Sequence, residues 1–65
     1  MKLQINLKGS WRDVLSFDAN RQVDVRESAA ALLKSSGAKE KMRISTDDNV
    51  RIAYCCAPDY QWRVA

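Results

Sequence analysis

Few side chains in this 65-residue chain can make or break bonds, and their spacing argues against catalysis. There is no histidine, so the usual general base and the commonest metal ligand are both missing. Cys55 and Cys56 are adjacent. Neighbours on a strand point to opposite faces, so a bond between them needs a distorted peptide, and two free thiols are expected. Strand parity places Cys55 on an outer face near Arg43 and Arg51, where cations would lower its pKa and favour the thiolate. No residue stands ready as its base, so a nucleophilic role is not expected. Asp47-Asp48-Asn49 lacks the glycine and distal glutamate of a calcium loop and reads as a turn. Neither glycine lies in a phosphate-cradling pattern. The expectation is a protein that is not an enzyme, with no cofactor and no metal.

Charge offers more. With 11 Lys and Arg against 8 Asp and Glu, the net charge is +3 and the pI about 9.1. This is mildly basic, and the distribution matters more than the sum. No apolar run approaches a membrane span or a signal-peptide core, so cytoplasmic residence without membrane attachment is expected. One small domain, residues 1–65, is expected near the lower size limit for an independent core.

The elements that position these groups follow from periodicity. Val23 to Gly37 is predicted as the one helix, with Asp24 as N-cap, Glu27 closing a capping box, Lys34 in the last turn and Gly37 as the left-handed stop. Val25, Ala29, Leu32 and Ser36 form its narrow inner stripe, and Ala29 to Ala31 permit close approach to a sheet. The rest alternates as strand: Lys2 to Lys8, Trp11 to Phe17, Lys41 to Thr46, Val50 to Ala57 and Tyr60 to Val64. Three-residue loops best match apolar to apolar. They pair Leu7 with Trp11, Leu3 with Leu15, Thr46 with Val50, Ile44 with Ile52, Met42 with Tyr54, Cys56 with Tyr60, Tyr54 with Trp62 and Ile52 with Val64. Asp13 is the awkward member, falling opposite Ile5. The resulting fold is α+β: a five-stranded antiparallel sheet with one helix on one face, in the order β-β-α-β-β-β.

Two surfaces emerge. In these registers the face away from the helix gathers Lys2, Lys8, Arg12, Lys41, Arg43, Arg51 and Arg63, with Gln4, Asn6, Val14, Ser45, Ala53, Cys55 and Gln61 between them. No acid and no aromatic falls there. A segregated basic face suits a phosphate backbone or an acidic protein surface. On the other face, five strands are about 24 Å wide while a helix covers about 10 Å. Apolar area is therefore left over, expected around Tyr60 and Trp62 on the last strand, where uncovered aromatics and a free edge suit an interface.

The succession of β-hairpin, helix and β-meander in a chain starting Met-Lys-Leu-Gln-Ile-Asn-Leu resembles, in architecture, the small orphan proteins of phages and mobile elements. Several anti-CRISPR proteins are among them. The resemblance implies a stoichiometric inhibitor that docks on a larger host defence complex, protein or ribonucleoprotein. It assigns no residue roles and departs from acidic DNA mimics, since the exposed face here is basic. The expected binding residues are Lys8, Arg12, Lys41, Arg43, Arg51 and Arg63, with Tyr60 and Trp62 as anchors. A DNA- or RNA-binding domain that lays its sheet on phosphates is the second reading, and a homodimeric structural protein the third.

Overall fold

The computed structural model describes residues 1–65. Two antiparallel hairpin systems are joined by one helix: β1 (Lys2–Leu7), β2 (Ser10–Ser16), α1 (Gln22–Ser36), β3 (Met42–Ser45), β4 (Arg51–Cys56) and β5 (Gln61–Val64). They form a single five-stranded antiparallel sheet of order β2-β1-β3-β4-β5, with α1 packed on one face. The expected α+β architecture is therefore the one observed. No helix is long and apolar enough to cross a membrane.

The helix starts earlier than its caps suggested. A 3-10 turn over Ala19–Arg21 runs directly into α1, and the N-cap position falls to Arg21, with no side-chain cap. Asp24 thus lies inside the first turn, where its charge meets the positive end of the helix dipole without capping it. The C-terminus is as expected. Gly37 is left-handed, with φ 66°, and its N–H closes onto the Leu33 and Lys34 carbonyls.

Strand registers differ from those expected, for three local reasons. Between β1 and β2 the turn has two residues, Lys8 (φ 55°) and Gly9 (φ 87°), so Leu7 pairs with Ser10, Asn6 with Trp11, Ile5 with Arg12 and Gln4 with Asp13. The two positive φ values give the twist of a primed hairpin turn. An irregularity at Val14 then restores Leu3 opposite Leu15. Between β3 and β4 the turn closes as expected, with the Thr46 N–H donating to the Val50 carbonyl at 2.9 Å. Just inside it, however, Ser45 pairs with Arg51 and Ile44 with Ala53, so Ile52 is the extra residue of a bulge. From there inward every side chain of β4 lies on the face opposite to that expected. The β4–β5 loop also takes one residue more than expected, pairing Cys56 with Gln61, Cys55 with Trp62 and Tyr54 with Arg63.

The consequence is a core floored by small residues. Ala53 and Cys55 are fully buried, and Cys55 clusters with Leu3, Met42, Ile44, Ala29 and Leu33. Small side chains beneath Ala29 let the helix approach the sheet closely, which Ile52 and Tyr54 in those positions would prevent. Tyr54 instead stands on the face away from α1, opposite Arg43. Over β4 and β5 the helix is tied down by Trp62, whose Nε1 donates to the Arg26 carbonyl at 2.7 Å. Tyr60 assists, its hydroxyl donating to the Ala38 carbonyl at 3.1 Å.

Candidate interaction face

The open face of the sheet is built across four strands from residues that share register. Gln4 on β1 is its hub, and is only 6% exposed. Its Nε2 donates to Asp13 Oδ1 on β2 at 2.6 Å, and its Oε1 accepts from Arg43 Nε on β3 at 2.7 Å. The Arg43 guanidinium carbon in turn lies 4.0 Å from the ring centroid of Trp11. Trp11 reaches across the face to Tyr54, their centroids 6.3 Å apart and their planes tilted by 52°. A buried amide therefore fixes an arginine, the arginine supports an indole, and the indole meets a tyrosine. Such stacking holds an arginine side chain while leaving part of the aromatic surface in contact with solvent.

Around this centre stand the other cations. Arg51 and Lys41 are exposed, and Arg51 pairs with Ser45 on the open face. Lys2 donates from Nζ to Asn49 Oδ1 at 2.7 Å. Arg63 pairs with Asp59 in the β4–β5 loop at 2.5 Å. The Gln61 backbone N–H beside Asp59, followed by the Arg63 charge, holds the Asp59 carboxyl below the ordinary range.

Several expected placements are corrected here. Arg12 pairs with Ile5 and so lies on the helix side of β2, as does Val14, which lines the gap beside α1. Lys8 sits at the tip of the first hairpin rather than within the face, near Lys39 and Lys41. Tyr60 and Trp62 are half-buried and bonded to the helix layer, so they are fastenings of the fold and not free anchors. The face is neither free of acids nor free of aromatics, since Asp13, Trp11 and Tyr54 all belong to it. Cys55 is likewise beneath the helix, and burial, followed by the neighbouring Cys56 and Asp59 charges, pushes its thiol pKa up. An activated thiolate there is excluded by geometry. Both cysteines are free.

The residues missed, Trp11 and Tyr54, had signals in the sequence. Asp13 opposite Ile5 was an unsatisfied pairing, and the two-residue Lys8–Gly9 turn removes it by bringing Asp13 to Gln4. The alanine-rich helix demanded small partners, which β4 provides only with Ala53 and Cys55 inward and Tyr54 outward. No cluster of His, Cys, Asp or Glu could hold a metal ion. Comparison with protein-family models, curated proteins and solved structures finds no match.

Proposed function

We propose that this chain is a non-catalytic binding protein that docks on an acidic surface of a larger protein assembly through the open face of its sheet. The observation that carries this reading is the cluster of Trp11, Arg43 and Tyr54 at the middle of the face, ringed by Arg51, Lys41, Lys2 and Arg63. Trp, Tyr and Arg are the residue types that dominate binding energy at protein interfaces, and they do so from a central patch with a polar rim. The Gln4 hydrogen bonds hold the centre in place before any partner arrives, which lowers the entropy lost on docking. A stoichiometric inhibitor of a host complex, the role implied by the likeness to phage-borne proteins, would need only this face. Residence in the cytoplasm accords with two unpaired thiols.

Nucleic acid is the second reading, favoured by five cations on a face with few acids. Two features weigh against it. Arg43 already covers one side of Trp11, and the tilt between Trp11 and Tyr54 does not offer successive bases parallel surfaces for stacking. The test is affinity capture from a bacterial lysate, with and without nuclease, using the wild-type chain, Trp11→Ala, and Arg51→Glu with Lys41→Glu. A protein captured by the wild type, resistant to nuclease and lost in both variants, is the expected outcome. Capture that persists in both variants would remove the open face from the function. Nuclease-sensitive capture would transfer the role to nucleic acid.

A further inference from the structure

The chain's net charge collects at one corner of the molecule. There the tip of the first hairpin meets the loop between α1 and β3, and the Asn6 N–H donates to the Lys41 carbonyl at 2.8 Å, holding that loop against β1. Two adjoining clefts open between them. One, of about 430 Å³, is lined by Asn6, Lys8, Gly9, Lys39, Glu40 and Lys41, with no apolar residue among them. The other, of about 500 Å³, has Lys8 and Glu40 in common with it and adds Arg12. Lys8, Arg12, Lys39 and Lys41 are exposed. None of the four makes a side-chain hydrogen bond or an ion pair within the chain, and neither does Glu40. The chain has 11 Lys and Arg against 8 Asp and Glu; with these four cations and Glu40 set aside, seven of each sign remain, so the whole net charge of +3 resides here. Lys8 is also placed against local preference. It takes φ 55° in a two-residue turn where Asn or Gly is favoured. The turn itself is held by the Gly9 N–H, which donates to Asn6 Oδ1 at 3.1 Å.

We propose that this corner binds a run of linked phosphate groups. Three observations select that chemistry. First, four unpaired cations stand against a single carboxylate around two joined clefts. The matching ligand carries several negative charges on a short length; a lone carboxylate brings one, whereas linked phosphates bring one or more at each unit. Second, three of the four cations are lysines, compact point charges that approach a tetrahedral phosphate from any side. Third, the first cleft has no apolar or aromatic side chain, so it holds nothing to anchor a protein side chain or to stack a base. Recognition therefore stops at the phosphates. This site goes beyond the open-face reading and shares only Lys41 with it. Arg12 reaches it from the helix side of β2 and Lys8 from the hairpin tip, both away from the Trp11, Arg43 and Tyr54 centre.

Calorimetric titration of the full chain with sodium tripolyphosphate tests this, in roughly 20 mM salt, where charges are little screened. Saturable binding that weakens as salt is raised is the expected result. Lys8→Asn should lower the affinity by about tenfold. That substitution supplies a residue the turn prefers, so it removes the charge without weakening the hairpin, and circular dichroism verifies the fold. Lys39→Gln should act alike, while Arg21→Gln, at the opposite end of α1, should change nothing. A second titration, with an oligothymidylate of about ten residues, separates the sources of phosphate. Binding of the oligonucleotide that both lysine variants lose assigns the site to a nucleic-acid strand; binding of tripolyphosphate alone assigns it to a free oligophosphate, and both outcomes support the proposal. No binding of either probe up to about 1 mM would overturn it. So would affinity indifferent to Lys8→Asn and Lys39→Gln, or an equally tight complex with an oligoglutamate of the same length, which would reveal attraction for any anion. Neither variant touches the open-face centre, so failure here leaves that reading standing, and loss of capture in Trp11→Ala leaves this one untouched.

Discussion

Trp62 and the cysteine pair show how much a single residue contributes. The indole of Trp62 both fills the space under α1 and donates to a helix carbonyl. Trp62→Phe keeps most of the volume and loses the hydrogen bond, so unfolding in urea should register a loss of about 1 kcal/mol. Trp62→Ala also leaves a void, and about 3 kcal/mol is expected. Because Trp62 belongs to the helix layer, Trp62→Phe should retain partner capture, whereas Trp11→Ala should lose capture and keep its melting temperature. The adjacent thiols separate by accessibility. Cys56 is half-buried and Cys55 fully buried. Iodoacetamide followed by mass spectrometry should therefore label Cys56 in the native protein and Cys55 only once the chain opens. Equal labelling of both would contradict the observed register.

At the level of elements, β1, the helix end at Gly37, the strand order along the chain and the Leu3–Leu15 pair were legible from alternation and capping chemistry. So was the turn joining Thr46 to Val50. The two bulges were not. A bulge inserts one residue with no compositional mark, and everything beyond it changes face. Matching apolar to apolar along β4 preferred Ile52 and Tyr54 inside, because they bury more area. Close approach of the alanine face of α1 to Ala53 and Cys55 outweighs that. The same error moved Arg12 and Trp11 to the wrong sides, so the expected basic face was partly right in its cations and wrong about its centre. Deleting Val14 should remove the first bulge and leave Leu15 opposite Leu3. The variant is expected to fold with its melting temperature changed by no more than about 5 °C. Gly37→Ala should cost about 1 kcal/mol, because the left-handed turn at φ 66° penalises a Cβ although there is open space around it.

For the molecule as a whole, a small core and a charged surface divide the work. Arg63 and Asp59 pair in solvent, and the Met1 amino group meets a carboxylate, Asp47, that is itself exposed, so salt should scarcely affect melting. Partner capture through Arg51 and Lys41 should weaken as ionic strength rises. Alkali should act on stability instead. The folded Cys55 thiol has a raised pKa, so folding favours its neutral form. That contribution is complete below the unfolded thiol's pKa and is lost as pH climbs from the ordinary thiol range through the raised pKa of the folded thiol. Melting temperature is therefore expected to fall across that range, and Cys55→Ala should flatten this part of the profile, measured by thermal circular dichroism.

The chain's two tryptophans are assigned to different layers: Trp11 stands over Arg43 on the bare side of the sheet, and Trp62 is fastened beneath the helix. Each is a built-in optical reporter for one event. In Trp62→Phe the remaining indole emission should report only what arrives at the outer surface. In Trp11→Phe it should report only the detachment of the helix, so association and unfolding can be followed separately without an added dye.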